Sequence, residues 1–171
     1  MIGYTEYDSP LGTLLLAASD KGLCGLYFEQ HKYFDGPQDW LRNDNHPVLR
    51  AAKHQLDDYF AGRRERFTLA LDLQGTPFQR AVWQALLDLP FGATGTYSAI
   101  AQRVGRVAAV RATGTAIGRN PVSIIVPCHR VLGASGALSG YAGGLERKQF
   151  LLALEEAVAG GRKNRQELHV G

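Results

Sequence analysis

The sequence predicts an α/β domain at the N-terminus, followed by a mainly helical domain that contains a helix-turn-helix. In the first half, short apolar runs alternate with turn residues, which is typical of strands, and one amphipathic helical stretch follows them. In the second half, glycine and proline separate stretches with helical periodicity. We therefore expect a scaffold domain over residues 1–75, a second domain over 76–158 and a C-terminal tail over 159–171.

Two apolar runs near the N-terminus predict a β-hairpin. The turn at residues 9–12 leads into the run 13–18, and the turn at 20–22 brings the chain back into the run 23–28. Residues 29–46 mix aromatic residues with Gly, Pro, Asn and Asp, so we expect a long connection there.

The rest of the first half predicts one helix and one further strand. A helix is expected from about Pro47 to Phe60, since apolar residues recur on one face and Gly62 follows as a stop. The period-two alternation of apolar residues over 67–73 predicts a half-buried strand. No set of side chains in this half suggests catalysis, so we interpret it as a scaffold.

A capping box marks the start of the second domain. Thr76-Pro77-Phe78-Gln79 combines an N-cap threonine, a proline at the first helical position and a glutamine at the third, which predicts a helix start. Two short helices are expected next, one capped by Ser98 and running through Val104, the other from about Val107 to Ile117. Their tight, glycine-containing connection is typical of a helix-turn-helix.

The second helix of this pair carries small residues, with Arg111 as the long side chain in its middle. The small residues are Ala108, Ala109, Ala112, Gly114 and Ala116. Such a surface permits close approach to a groove, but an alanine-rich helix also packs closely against protein. The helix alone therefore leaves both interpretations open.

The charge distribution favours a nucleic acid as the partner of this helix. Residues 1–75 carry 8 Lys and Arg against 11 Asp and Glu, whereas residues 76–171 carry 11 against 5. The basic character thus belongs to the second half, which indicates an anionic partner, and DNA fits best.

The composition excludes several classes of protein. No apolar run is long enough to span a bilayer and no signal peptide is visible at Met1, so we expect a cytoplasmic protein that makes no membrane contact. With Cys24 and Cys128 as the two cysteines, a disulfide framework is not expected. Neither a CxxC pair nor a His-x-x-x-His spacing is present, so no metal site is predicted.

The tetrapeptide Pro127-Cys128-His129-Arg130 carries the strongest chemical signal. The β-branched run 123–126 predicts a buried strand before it, which Pro127 ends. A cysteine beside a histidine at such a point can be held as a thiolate, the form that attacks carbon. The alternative is that Cys128 is a small buried apolar residue, but the neighbouring His129 and Arg130 would then be costly to bury.

Two features downstream complete this candidate site. Residues 131–144 are rich in glycine, which lets the backbone fold closely around a flat ligand with Tyr141 as a wall. A last helix is expected to start near Leu145 and to bury Phe150, Leu151, Leu154 and Val158. Glu155 lies beside this apolar stripe, and we expect it to pair with His129; the alternative is a surface carboxylate.

Together these motifs resemble the O6-alkylguanine-DNA alkyltransferases. The matching segments are Ser9-Pro10-Leu11-Gly12, Thr76-Pro77-Phe78-Gln79, Arg111-Ala112-Thr113-Gly114, residues 119–121, residues 124–131 and Gly140-Tyr141-Ala142-Gly143-Gly144. The resemblance extends to about Glu156 and finds no counterpart for the tail. Val107 stands where many members have proline, from which we expect a less fixed helix start. Thr113 replaces the usual valine, from which we expect slightly altered groove contacts.

The resemblance implies an RNase-H-like strand order in the N-terminal sheet and a direct-reversal DNA repair activity. The expected partner is double-stranded DNA containing O6-alkylguanine, which a monomer would bind without a cofactor. The alkyl group would move irreversibly from guanine O6 to the Cys128 sulfur, once per protein molecule. Because a sulfur cannot reach O6 inside a duplex, the base would first be flipped out. Activity on O4-methylthymine stays open.

The resemblance also implies a role for each site residue. His129 would take the thiol proton through a water, Glu155 would stabilise the imidazolium, and Asn120 would order the turn around them. Tyr97 would move the 3′ phosphate and donate a proton to the departing guanine, while Arg111 fills the vacated stack. The guanine would contact Val131, the Cys128 backbone, Tyr141, Ala142 and Lys148. The helix in the groove would present Ala112, Thr113 and Gly114 beside Arg111, with Tyr97 also touching DNA.

Two functions of other classes have to be weighed. A Cys-His-Glu set also occurs in acyl-transfer hydrolases, whose thioester intermediates water can cleave, but no segment here indicates an oxyanion hole. Such an enzyme would also leave the basic helices unexplained. A non-catalytic lesion-binding protein of the alkyltransferase-like type would lack the nucleophile, whereas Cys128 is present.

Overall fold

The computed structural model describes residues 1–136, 138 and 140–170, and side chains as far as residue 161. Residues 137 and 139 of the predicted glycine-rich loop, and residue 171 of the predicted tail, lie outside the described residues. The predicted fold class is confirmed, because a small sheet with one helix is followed by a helical second half.

The N-terminal sheet has the strand order β3-β2-β1-β4. Its strands are β1 (Gly3–Ser9), β2 (Gly12–Ala18), β3 (Leu23–Tyr27) and β4 (Leu41–Arg42). The predicted hairpin is confirmed as the antiparallel pair β2–β3. β1 pairs with β2 from Gly3 opposite Ala18 to Ser9 opposite Gly12. The long connection predicted over 29–46 is interrupted by β4, which pairs in parallel with β1.

Helix α1 (Pro47–Phe60) has the predicted bounds and packs against β1 and β2. His46 caps it, because the ring Nδ1 accepts a hydrogen bond from Val48 N at 3.2 Å. The inner face buries Leu49, Ala52, Leu56 and Tyr59. Gly62 ends the helix with φ of 75°, a left-handed conformation that favours glycine.

The prediction of a strand over residues 67–73 is wrong. This segment makes a single bridge, between Leu71 and Leu23, through hydrogen bonds from Leu23 N to Ala70 O and from Asp72 N to Leu23 O, both at 2.8 Å. The alternating apolar side chains instead pack against the core from an irregular extended chain. The period-two pattern therefore reflects the burial of one side of this segment. An extended chain can be buried on one side without the hydrogen bonds of a sheet.

Helix α2 (Pro77–Leu87) opens the second half with the predicted capping box. Thr76 Oγ1 accepts a hydrogen bond from Gln79 N at 3.1 Å, and Gln79 Oε1 accepts one from Thr76 N at 3.0 Å. On its inner face, Trp83 Nε1 donates to Ala116 O at 2.8 Å, which joins α2 to the next helices.

The helix-turn-helix consists of α3 (Tyr97–Arg103) and α4 (Val110–Gly118), and both predicted starts need correction. Thr96, not Ser98, caps α3, with Oγ1 accepting from Ala99 N at 3.1 Å. The preceding strand β5 (Gly95–Thr96) pairs with β6 (Val131–Leu132), which fixes the chain up to the cap. α4 starts three residues later than predicted, because Ala109 N bonds to Arg106 O in a turn.

Helix α5 (Leu145–Val170) begins where predicted and continues past residue 158 into the predicted tail. Leu151 is fully buried, but Phe150 is 39% exposed, so its predicted burial is wrong. Phe150 instead lies at the rim, with its ring centroid 6.5 Å from that of Phe60.

Candidate active site

The chain before Cys128 forms turns instead of the predicted buried strand. Val122 makes one bridge with Leu26 of β3, after which Val126 N bonds back to Val122 O at 2.9 Å. Ile124 has φ of 72°, which no strand residue adopts. The β-branched run is buried as expected, yet its hydrogen bonds are local. Cys128 then opens a 3-10 turn that ends at Arg130.

Asn120 holds this turn together and reaches the thiol. Its Oδ1 accepts from Val122 N at 3.0 Å, while Nδ2 donates to Val126 O at 2.8 Å and to Cys128 Sγ at 3.1 Å. Asn120 is 2% exposed, so these bonds are shielded from water. An N–H aimed at sulfur stabilises the thiolate relative to the thiol.

The Cys128 thiol is 6% exposed and its pKa is raised by burial. The Asn120 hydrogen bond and the positive charge of Lys148 act in the opposite direction and lower that pKa. Lys148 is fully buried, and its Nζ donates to Val131 O at 2.7 Å. Burial lowers the pKa of Lys148, and a Cys128 thiolate raises it. The resting site therefore favours the neutral thiol, and ionisation needs a base.

His129 and Glu155 form the predicted pair. His129 Nε2 lies 2.7 Å from Glu155 Oε2, and the two side chains are 0% and 1% exposed. The prediction of a pair is confirmed, and the alternative of a surface carboxylate is wrong. Because Nε2 carries the proton shared with the carboxylate, Nδ1 keeps its lone pair. Nδ1 is buried without a hydrogen-bond partner among the described residues.

Two residues that the sequence analysis did not assign to the site also bind Glu155. Arg130 donates from Nε to Oε1 at 2.8 Å and from Nη2 to Oε2 at 3.0 Å. The Tyr59 hydroxyl donates to Oε2 at 2.6 Å from the half of the chain interpreted as a scaffold. Arg130 could have been found from its place in the tetrapeptide, whereas nothing in the sequence around Tyr59 indicates this contact.

These neighbours set the ionisation of the pair. Burial alone would raise the pKa of Glu155, but hydrogen bonds from His129 and Arg130 lower it to about 2. The pKa of His129 is lowered overall, because the effect of burial outweighs the raising effect of the Glu155 carboxylate. The carboxylate is therefore charged, and the imidazole is neutral and available as a base.

A cleft of about 430 Å³ brings some of the other predicted residues together, whereas Cys128, Val131 and Lys148 are not part of its lining. Tyr97 and Arg111 line it from the helix-turn-helix, and Tyr141 and Ala142 line it from the glycine-rich loop. Gly114 lies across from Tyr97, whose Cδ1 would be 3.6 Å from a Cβ at that position. The cleft thus collects aromatic walls, one exposed guanidinium and backbone polar groups.

Thr113 does not belong to this surface. Its side chain is 0% exposed, and Oγ1 donates to Ala109 O at 2.8 Å within α4. Arg111 and Ala112 are exposed on the other side of the helix. The expectation that Thr113 alters groove contacts is therefore wrong, because the side chain packs into the core.

The scaffold domain supports the glycine-rich loop. Lys32 N donates to Ala142 O at 3.0 Å, and a Cβ at Gly143 would lie 2.4 Å from Phe28 Cδ2, so this position admits only glycine. Arg147 Nη1 donates to Glu29 O at 2.8 Å and to Gly143 O at 3.1 Å. The loop is thus held against the N-terminal domain by one backbone hydrogen bond, by the Phe28 ring and by the Arg147 guanidinium.

Among the described residues, no three His, Cys, Asp or Glu side chains cluster closely enough to hold a metal ion. None of the described helices combines the length and the apolar character that a bilayer crossing requires. Cys24 and Cys128 are both free thiols.

Comparison with known protein families gives two matches along the chain. Residues 2–73 match the ribonuclease-like domain of 6-O-methylguanine DNA methyltransferase, and residues 77–157 match the DNA binding domain of the same family. The first match agrees with the RNase-H-like strand order that the resemblance implied.

Individual relatives match over nearly the whole chain. Methylated-DNA–protein-cysteine methyltransferase from Methanosarcina barkeri is 48% identical over 154 residues, covering 90% of this chain and 96% of the relative. The protein of the same name from Mycobacterium leprae is 49% identical over 156 residues, covering 91% and 93%. The crystal structure of Mycobacterium tuberculosis OGT in complex with DNA superposes with a TM-score of 0.85 at 44% identity, covering 91% and 94%. With identity of this extent, the chain belongs to the 6-O-methylguanine DNA methyltransferase family.

Proposed function

We propose that this protein repairs DNA by moving an alkyl group from O6 of guanine in double-stranded DNA to the Cys128 sulfur, once per molecule. One observation carries the proposal: the buried Cys128 thiol accepts an N–H from Asn120 at 3.1 Å and adjoins the His129–Glu155 pair. This arrangement supports a thiolate that is formed on demand by a neighbouring base. Family membership supports the choice of DNA as substrate.

Thiolate formation requires His129 to accept a proton. Nδ1 carries the free lone pair, and a water between it and Sγ would carry the proton across. Glu155 would then face an imidazolium at 2.7 Å and stabilise its charge. Asn120 and Lys148 would stabilise the negative sulfur from the other side.

The transfer step is a displacement at the alkyl carbon. The sulfur–carbon bond forms as the carbon–O6 bond breaks, and the electron pair of the broken bond stays on the guanine. The guanine then takes a proton, for which the Tyr97 hydroxyl in the cleft is the proposed donor. The product is a thioether, which offers no carbonyl for water to attack, so the protein would not turn over.

Residues of this cleft and of the Cys128 turn are proposed to bind the flipped base. Tyr141 would lie against its face, the Ala142 amide would meet O6, and the Cys128 and Val131 carbonyls would accept from the exocyclic amino group. Val131 O already accepts from Lys148 at 2.7 Å, but a carbonyl has two lone pairs and can take a second donor.

The α4 surface is proposed to bind DNA in the minor groove. Arg111 and Ala112 are exposed there, and Arg111 would fill the space of the flipped base. The related OGT from Mycobacterium tuberculosis has been crystallised in complex with DNA, which supports this partner. We further propose that the protein acts as a cytoplasmic monomer without a cofactor, as the family resemblance implies.

Intact mass analysis with a DNA duplex bearing O6-methylguanine tests the proposal. The wild-type protein should gain one methyl group, which peptide mapping should place on Cys128, and then stop. Cys128→Ser should bind the same duplex and gain nothing. Turnover beyond one equivalent would contradict the proposal and favour the hydrolase. Methylation at another residue would exclude Cys128 as the acceptor.

A further inference from the structure

The Glu155 carboxylate is bound from both domains at once. Its Oε2 accepts from His129 Nε2 at 2.7 Å and from the Tyr59 hydroxyl at 2.6 Å, and Arg130 Nη2 reaches the same oxygen at 3.0 Å. Tyr59 lies on α1, 96 positions before Glu155 in the chain. A side chain of the scaffold domain therefore competes with the candidate base for one carboxylate oxygen.

The Tyr59 hydroxyl can only donate in this position. Burial and the negative charge of Glu155 raise the pKa of Tyr59 well above its ordinary value, so the hydroxyl keeps its proton. Its ring is 1% exposed and is held edge-on by Phe60 and Phe91, with centroid distances of 5.2 and 6.2 Å. The hydrogen bond to Oε2 is thus fixed by packing.

We propose that Tyr59 is a positioning residue whose hydroxyl shares Oε2 of Glu155 with His129 and so limits how strongly the carboxylate retains a proton on the imidazole. A donor on a carboxylate oxygen disperses its charge and weakens its pull on every other donor. Because His129 takes the thiol proton, this limit lowers the pH at which the imidazole becomes protonated and also lowers the fraction of Cys128 that is thiolate in the resting protein. The inference rests on the role proposed above for His129.

The other ionisable groups around the pair do not replace this effect. Tyr141 from the glycine-rich loop stays neutral, because burial and the charge of Cys128 raise its pKa well above the ordinary value. Arg130 from the 3-10 turn binds both carboxylate oxygens, and Lys148 from α5 lowers the pKa of His129 by its charge. Both are cations that also act on His129 directly. Tyr59 is a neutral donor, so its removal alters the carboxylate without removing a charge.

Alkylation of Cys128 by iodoacetamide tests this inference without DNA, because the thiolate displaces iodide whether or not the protein binds a duplex. The rate would be followed by peptide mass between about pH 5 and 9, which separates Cys128 from Cys24. Burial raises the pKa of the Cys24 thiol to about 11, so Cys24 should react slowly.

In a plot of the Cys128 alkylation rate against pH, Tyr59→Phe should move the midpoint of the acidic limb up by about half a pH unit to one pH unit. It should also raise the rate on the plateau by about three- to tenfold. Both changes have one cause. A more basic carboxylate makes His129 easier to protonate from solvent, which shifts the midpoint, and easier to protonate by the thiol, which raises the thiolate fraction. At low pH the two profiles should coincide.

Tyr7→Phe is the matched control. The Tyr7 hydroxyl donates to Asp57 Oδ1 of the same helix at 2.7 Å, so the variant loses the same kind of bond outside the site. It should leave both the midpoint and the plateau unchanged. A shift equal to that of Tyr59→Phe would show a general effect of destabilising α1 and would overturn the inference.

Replacing Tyr59 by 3-fluorotyrosine keeps the bond and tests the opposite direction, even if Tyr59→Phe fails to fold. The fluorinated phenol is a stronger donor, so the midpoint should move down and the plateau should fall. An unchanged profile, or shifts of the same sign in both variants, would refute the inference. Methyl transfer from DNA is measured separately, so its absence together with these shifts would refute only the proposed function.

Discussion

Replacing Glu155 by glutamine should separate fold stability from chemistry, because one carboxylate serves both. Glu155 is 1% exposed and accepts hydrogen bonds on both oxygens. Glutamine keeps the size of the side chain, but its NH₂ group would face a donor whichever way it points. The Arg130 guanidinium, 6% exposed, would also lose its counter-ion. Breaking a buried ion pair on one side costs about 3–5 kcal/mol of unfolding free energy.

The pKa of Glu155 gives a second figure for the contribution of this carboxylate to the free energy of unfolding. It is lowered from 4.5 to about 2 in the folded protein, which corresponds to about 3 kcal/mol of stability at neutral pH. Because the folded state holds the proton less tightly than the unfolded chain, this stabilisation is fully present above about pH 5 and is lost as the pH falls towards about 2. The stability difference between wild type and Glu155→Gln should shrink over the same range.

Urea unfolding at several pH values measures these energies, and single-turnover methyl transfer measures the chemistry. Glu155→Gln should transfer at least about tenfold more slowly, since the imidazolium loses its counter-charge. The double variant Glu155→Gln with Arg130→Met should regain part of the stability but none of the rate, because no uncompensated charge remains buried. Glu156→Gln, at the exposed neighbouring position, is the control. A double variant with wild-type rate would remove Glu155 from the mechanism, and a pH-independent stability loss would contradict the assigned pKa.

The helix-turn-helix allows two further tests. Arg111→Ala should slow repair of duplex DNA at least about tenfold more than reaction with free O6-benzylguanine, which needs no flipping, and Arg111→Lys should recover only part of the loss. Equal losses on duplex and free base would point to damage in the pocket. Thr113→Val should change DNA affinity less than about twofold and unfolding free energy by less than about 1 kcal/mol, because Ala109 O keeps its bond from Thr113 N. A tenfold change in DNA affinity would contradict this prediction and would indicate that Thr113 contributes to the DNA-binding surface.

The sequence predicted those features that depend on neighbouring residues or on one continuous stripe. The capping box at Thr76 needs only the residue three positions later, and α1 needs only its apolar face and a following glycine. The pairing of Glu155 with His129 could be predicted because an acid on a buried stripe requires a partner.

The errors arose where distant segments decide the local structure. Thr96 and Ser98 are both good caps, and the pairing of β5 with β6 selects Thr96 by extending the chain up to it. The run 123–126 has strand composition, yet β3 offers it one bridge before the chain turns at Ile124. No local pattern around Tyr59 could have indicated a carboxylate on the last helix.

The domain boundary in the sequence does not divide the candidate site. The edge of β3 fixes the turn that presents Cys128, since Leu26 N donates to Pro121 O at 2.8 Å. Lys32 N holds the loop that forms the wall of the cleft, and Tyr59 donates a hydrogen bond to the Glu155 carboxylate that pairs with the base. The N-terminal domain therefore fixes the position of the nucleophile, the pocket loop and the charge of the base, although its own side chains include none of the groups proposed to react. Opening the contact between the domains would disturb all three together. We therefore expect activity to be lost at a lower denaturant concentration than the one that unfolds the helices of the second half.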